Sequence, residues 1–427
     1  MVLVLVVSSY GTVYHVAKTG TNTNAGSAAQ PFLTIQKAAD IMQPGDTVFI
    51  HAGTYREWVN PPRGGTSESA RITYKSAAGE KVVIKGSELV TTWVSQGNGV
   101  WKVDIADSFF GGFNPWTEKM NGSYLIEGEN LCHLGEVYLD DMIYYNEKQS
   151  LTAVKDSAKS WYTTHSGTTT TIYANFGSAN PNTQASEINV REIVFGSKTL
   201  HLNYITIDGL TIMQSAENWG KQENSTRYGL ITTTGGKGWI IQNCTIKYAK
   251  MRGISMDHNG QAKDYNVLGH HIIRDNIVEE CGHAGICGHA ASASVISGNW
   301  IRNIHGTRPY YGVEQGGIKL HYAQDVLISG NIISRVDAKE FSEGIWLDWQ
   351  CQNNRVTGNV IMDIGTKVTS ENVSVHIEMS HGPNLVDNNI LLFTTSLTPS
   401  YYYHPTYFSD GTALVNNLFF MSTINLH

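Results

Sequence analysis

From about residue 240 the chain repeats itself. "IIQNCTI", "IIRDNIV", "VISGNWI", "LISGNII", "RVTGNVI", "LVDNNIL" and "LVNNLFF" each set an asparagine between two short apolar runs. Aligned on Asn243, Asn276, Asn299, Asn331, Asn359, Asn389 and Asn417, the units recur at intervals of 23 to 33 residues. A unit of a few short strands cannot bury an apolar face alone, so successive units must stack. The uneven interval suits rungs joined by loops of different length. Asparagine at a fixed turn suits a left-handed backbone position and a ladder of side-chain amides. The fold class expected is all-β, a right-handed parallel β-helix.

A second set of strands supports the register: "RGISMDH", "AGICGHA", "GGIKLHY", "EGIWLDW" and "VSVHIEM" align on Ile254, Ile286, Ile318, Ile345 and Val375. Side chains alternate across a strand, so two outward columns follow. The first holds Ser255, Cys287, Lys319, Trp346 and His376, and the second Asp257, His289, His321, Asp348 and Glu378. With rungs about 4.8 Å apart, titratable groups stack on one exterior face. The functional site is expected there.

Upstream, "PFLTIQKAADIMQPGDTVFIHAGTYRE" reads as an amphipathic helix, a Pro-Gly-Asp turn and a strand. The helix is expected to cap the open end of the solenoid, as terminal units must. Residues 14–87 then form the cap and first rung or rungs. Residues 88–192 lack the asparagine repeat but carry Trp93, Trp101, Trp116 and short alternating strands such as "TTTIYANF". They are expected to be an inserted β-sandwich, with the main β-helix over 193–427.

Composition narrows the function. The chain of 427 residues is 41% apolar and 16% charged, which excludes a disordered chain. Its 42 glycines and 10 prolines favour many tight turns. A net charge of −7 is poor footing for a nucleic-acid binder. Five cysteines at 132, 244, 281, 287 and 351 match no disulfide framework. Cys281 and Cys287 near His283 and His289 match no standard zinc spacing, and buried thiols are the expected reading. The start "MVLVLVVSSYG" is too short to span a membrane. It fits the tail of a clipped signal peptide, which implies export, or an added leader, which leaves the cytoplasm.

The second column carries the chemistry. Asp348 and Glu378 are neighbours one rung apart, which puts their carboxyl groups about 5 Å apart, the separation of a retaining glycosidase. Two like charges that close cannot both ionise easily. His321 and Lys319 flank Asp348 and favour its anion, so Asp348 is expected to be the nucleophile and Glu378 the general acid and later base. Trp346 is then expected to be a platform for a sugar ring. Taken singly, a tryptophan is more often core, an exposed Asp a turn residue and a histidine a satisfied surface group; the shared register lifts the functional reading above these. Glu314, just before strand 317–321, is placed to reach over the column, whereas Glu340 and Glu343 are expected to be solvated.

These residues resemble glycoside hydrolase family 120, β-xylosidases on a parallel β-helix with an inserted β-sandwich. "PFLTIQKAA", "AGTYREWV", "RITYKSAAGEKVVIKGSE", "SFFGGFNP", "GIKLH", "WLDW" and "SHGP" carry the resemblance, from "YHVAKTG" at 14 to "VNNLFF" at 420. It implies a retaining, exo-acting enzyme that releases xylose from the non-reducing end of short β-1,4-xylo-oligosaccharides, with no metal or cofactor. Asp348 matches the family's nucleophile, Glu378 the acid/base, and Glu314 a third acid that binds or orients sugar. Lys319, His321, Trp346, His376, His381, His289 and Tyr124 complete the expected substrate-binding set. The expected partner is the oligosaccharide, with no nucleic acid or membrane; a homo-oligomer is compatible.

The chain departs from the family pattern in four places. Val313 stands where a His precedes the third acid, and Tyr124 where a Trp from the insertion lines the sugar site. The loss of a His donor is expected to alter which hydroxyl is read. The loop "GTKVTSE" lengthens the connection between the two catalytic carboxylates, and the chain stops at His427, with about two rungs after Glu378. A solenoid ending there is expected to leave an uncapped edge. The competing classes are a retaining glycosidase for an arabinoside or galactoside, a polysaccharide lyase recruiting Lys319 and His321, and a non-catalytic glycan-binding solenoid.

Overall fold

The computed structural model describes residues 11–120, 132–144, 146–199, 201–218, 228–257, 268–306, 308, 310, 312, 315–337, 342–365, 372–392, 396–400 and 410–420. The apolar start, Tyr124, Val313 and Glu314 lie outside them, as does the side chain of His381.

Among the described residues three parallel sheets of eleven, ten and eight strands run along a coil. One rung supplies one strand to each, as with Val295–Ser297, Trp300–Ile304 and Gly316–His321. Each sheet turns one face inward, and the inward positions stack by residue type. Ile207, Ile241, Ile273, Ile296, Ile328, Val356 and Val386 line up in the first sheet. Ile212, Ile246, Val278, Ile301, Ile333, Ile361 and Leu391 do so in the second. Ile231, Ile254, Ile286, Ile318, Ile345 and Val375 do so in the third. β-Branched side chains have restricted rotamers and pack well against copies of themselves on a pleated surface, which is why the same residue type recurs rung after rung.

The asparagine pattern divides into two structural jobs. Asn276, Asn299, Asn331, Asn359 and Asn389 are buried. The side-chain amide of each donates to Oδ1 of the next ladder asparagine at 2.9–3.0 Å, the last to Asn417. The left-handed position is the residue before them: Asp275, Gly298, Gly330, Gly358, Asn388 and Asn416 have φ between 52° and 65°. Asn243 belongs to this second group, with φ 55°, and it is exposed. Cys244 occupies the ladder position there, its backbone amide donating to Asn276 Oδ1 at 3.0 Å. The expected alignment was therefore one residue out in its first unit.

Ladder asparagines are expected to contribute strongly to stability. Replacing Asn331 with Ala removes the acceptor of the Asn299 amide (3.0 Å) and a donor to the Ile296 carbonyl (2.9 Å). Each buried group so deprived costs about 1–3 kcal/mol, so urea unfolding should report a loss of about 3–5 kcal/mol. An unchanged midpoint would show that the ladder merely accompanies the fold.

At the N-terminal end the short helix Ile35–Ile41 starts at Thr34, whose hydroxyl accepts from the Lys37 amide, and buries Ile35, Ala38 and Ala39. In the Pro-Gly-Asp turn, Asp46 accepts from the amides of Thr12 (2.6 Å) and Gln43 (2.7 Å), tying the turn to the first strand.

Between strands Val82–Lys85 and Phe195–Gly196 the chain leaves the coil. It forms a four-stranded and a five-stranded sheet, paired antiparallel except where Asn146–Glu147 meets Ser160–Trp161. Both sheets face one core holding Trp93, Trp116, Trp161, Ile172 and Ile188, which makes them a sandwich. Buried ion pairs attach it to the coil. Lys250 Nζ lies 2.5 Å from Glu136 Oε1, both side chains 2% exposed, and Lys85 Nζ lies 2.8 Å from Glu187 Oε1. Either ion left alone in that interior would be costly, so each pair is a strong constraint on how the module docks.

Candidate active site

The third sheet carries the two outward columns. Its register pairs Cys287 with Lys319, Lys319 with Trp346 and Trp346 with His376. Beside them run His289 with His321, His321 with Asp348, and Asp348 with Glu378. Asp257 lies beyond the end of its strand, Arg252–Ser255.

Asp348 is 3% exposed and sits among donors. Its Oδ2 is 3.0 Å from Lys319 Nζ and 3.6 Å from His321 Nε2. His321 stacks on His289 at 6.1 Å and 10°. An ammonium at that distance, away from bulk water, favours the carboxylate anion.

Trp346, expected to be a sugar platform, has little ring surface open to a sugar. Lys319 Nζ lies 3.1 Å from its ring centroid, and His376 stacks on it at 5.0 Å and 12°. With neighbours from the rungs before and after, the ring is 7% exposed. The ring's negative face is turned to the Lys319 ammonium, which also reaches Asp348. Beyond Asp348 in the chain, Trp349 is 37% exposed, and its half-buried neighbour Tyr322 packs on His289 at 4.8 Å.

His376 lies between two acids. Its Nε2 is 4.0 Å from Glu378 Oε2, and its Nδ1 is 3.8 Å from Glu343 Oε1. Burial, and after it the charge of Lys319, pushes the imidazole down to about 3, so the ring is neutral near pH 7. Glu378 is 5% exposed.

Glu343 corrects the expectation of a solvated residue: it is 1% exposed and belongs to the site. Strict alternation from Ile345 would turn Glu343 inward. The register instead steps from Glu343–Val373 to Ile345–Val375 with no pair at Gly344. A Cβ on Gly344 would meet the Ser374 carbonyl oxygen at 2.5 Å and the Ile361 side chain at 2.7 Å. Gly344 therefore faces the core beside Ile345, and that kink returns Glu343 to the outer face. The sequence signal was the recurring Gly-Ile of "RGI", "AGI", "GGI" and "EGI", which marks a break in alternation.

Of the other expected site residues, Lys319, His321, His289 and His376 are brought together around the acids. His381 opens the strand His381–Asp387 in the first sheet, around the corner from Glu378. Cys281 lies in the core and Cys287 in the outward column, and all five thiols are buried. Among the described residues no group of three or more His, Cys, Asp or Glu is arranged to hold a metal ion.

Comparison with known proteins agrees with both parts of the architecture. The family profile "Glycoside hydrolase 120, insertion domain" matches residues 90–188, and "Right handed beta helix region" matches 228–393. A solved structure described as the complex of XylC with xylose is 35% identical, covering 95% of this chain and 70% of that one, with a TM-score of 0.83. A second structure, described as a glycoside hydrolase, is 13% identical over 97% of this chain and 96% of its own, with a TM-score of 0.59, and shows the shared fold alone. Uncharacterized protein YwoF of Bacillus subtilis (strain 168) is 33% identical over 79 residues, 18% of this chain and 17% of that protein. Identity at that level along nearly the whole coil, with the characteristic insertion in place, makes this chain a member of glycoside hydrolase family 120.

Proposed function

We propose that the chain is a xylosidase that works with retention and from the end of the substrate, releasing xylose from the non-reducing end of β-1,4-xylo-oligosaccharides. The observation that carries this reading is the one-rung pairing of Asp348 with Glu378, with Lys319 on Asp348 and a neutral imidazole facing Glu378. Directly paired residues on neighbouring strands have carboxyl groups about 5 Å apart, which suits attack by one of them rather than by a water held between them. The 35% identical structure holding xylose supports the choice of sugar.

In the first step an Asp348 oxygen attacks the anomeric carbon. Glu378 gives its proton to the glycosidic oxygen as the bond to the leaving sugar breaks. In the second step Glu378, now a carboxylate, takes a proton from water. That water attacks the same carbon, releasing Asp348 and giving back the proton on Glu378. Two inversions leave the configuration unchanged. A lyase reading is disfavoured because the Lys319 ammonium is engaged by Asp348 and Trp346 instead of standing free as a base.

Proton NMR of the protein with xylobiose tests the reading, by recording which xylose anomer appears before mutarotation. β-Xylose first is the expected result. α-Xylose first would remove Asp348 as nucleophile, and no xylose from folded protein would transfer the question to arabinosides and galactosides.

A further inference from the structure

Glu343 has no part in the two-step reaction, yet it is a buried carboxyl in contact with that machinery. It lies on the rung before His376, with its Oε1 at 3.8 Å from Nδ1, while Nε2 of the same ring is 4.0 Å from Glu378 Oε2. Both distances exceed a hydrogen bond, but they line up one imidazole between two acids, on a ring held flat against Trp346. Apo geometry of this kind commonly tightens when substrate excludes water.

A neutral imidazole carries one proton, so its two nitrogens differ: one donates and the other accepts. If both acids were ionised, the unprotonated nitrogen would direct its lone pair at an anion. The arrangement is satisfied when one acid is a carboxylate and the other a carboxylic acid. Glu378 needs the proton for its first task, which leaves Glu343 as the anion.

We propose that Glu343 is a positioning residue for the acid/base step: it holds the His376 proton on Nδ1, so that Nε2 is left as the acceptor that keeps a proton on Glu378. The inference rests on the reading of Glu378 as acid/base and deepens it. Among the described residues, the charged and titratable groups placed against His376 include Lys319, Glu343 and Glu378, with Asp348 in the adjoining column. On the rung that follows, the register sets Thr398 opposite His376. Lys319 favours a neutral ring, and the neutral ring gives the tautomer its meaning.

The sign of the effect follows. Glu343→Gln removes a negative charge near Glu378, which lowers the affinity of Glu378 for its proton. It also frees the ring to carry its proton on Nε2 and donate to the Glu378 carboxylate, which acts in the same direction. The alkaline limb of the kcat/KM profile should therefore move to lower pH. At neutral pH, kcat/KM for phenyl β-xyloside should fall by about tenfold or more, within the usual range for losing acid assistance. 2,4-Dinitrophenyl β-xyloside, whose leaving group needs little protonation, should stay within about threefold of wild type.

A merely structural Glu343 would lower both substrates alike and leave the alkaline limb in place, which overturns the proposal. Glu378→Gln, measured on the same two substrates, separates the two readings. If it shows no dependence on the leaving group, the acid/base assignment and this inference fall together. If it shows the dependence and Glu343→Gln does not, only this inference falls. Should Glu343→Gln fail to fold, nitrogen-15 NMR of histidine-labelled wild-type protein decides, with the His376 resonances identified by their loss in His376→Gln. Protonated Nδ1 is expected, and protonated Nε2 would overturn the proposal.

Discussion

Asp348→Ala should lower turnover of xylobiose by about 10⁴-fold or more, with the fold retained by circular dichroism. The size follows from the role: a group that forms the covalent intermediate cannot be replaced by its neighbours, and loss of such nucleophiles costs factors of this order and above. About 10⁴-fold corresponds to roughly 5.5 kcal/mol of transition-state stabilisation. A shared carboxylate site without a dedicated nucleophile would lose far less. The variant also shortens a side chain 3.0 Å from the Lys319 ammonium, so the vacated volume is lined by a cation and open to a small anion. Azide or formate should therefore restore turnover of 2,4-dinitrophenyl β-xyloside by direct displacement. The azide product should be α-xylosyl azide, formed with one inversion. Wild-type rates in Asp348→Ala, or rescue giving the β-anomer, would remove Asp348 from the nucleophile's role.

Glu378→Ala should divide substrates by leaving group. Phenyl β-xyloside and xylobiose, which require protonation of the departing oxygen, should lose about 10²–10⁴-fold in kcat/KM. 2,4-Dinitrophenyl β-xyloside should form the intermediate at close to the wild-type rate. Because Glu378 also activates the water of the second step, that intermediate should accumulate and appear as a burst of dinitrophenol followed by slow turnover. Azide needs no base, so it should accelerate the slow phase and give β-xylosyl azide. The two variants would thus yield opposite anomers of one product, and a uniform loss across leaving groups would sink the assignment of Glu378.

The differences between sequence and structure have one source. Alternation along "EGIWLDW" told correctly that Trp346 and Asp348 share a face, because side-chain direction in a strand is set by the backbone of that strand. It did not tell what covers that face. Trp346 read as a platform because tryptophan beside an acid suggests sugar binding, yet Lys319 and His376, 27 residues before it and 30 after it, close both sides of the ring. Glu343 read as solvated, whereas the kink at Gly344 turns it to the outer face beside His376.

The asparagine repeat shows the same division on a smaller scale. Its recurrence was enough to specify stacked rungs, since each unit can satisfy its apolar face only against the next. Its first member was misassigned because Asn243 and Cys244 differ by one residue, and only the ladder bonds reveal that the thiol occupies the amide's place.

By itself the sequence determined a parallel coil with an all-β insertion, and the column in which Asp348 and Glu378 are neighbours. These are properties of period and alternation, which short-range backbone geometry enforces wherever the apolar pattern persists. Tertiary structure alone decided that Trp346 is closed between Lys319 and His376, and that the buried Glu343 lies across the His376 ring from Glu378. Burial and ring stacking are relations between rungs about 30 residues apart, and no local pattern carries them.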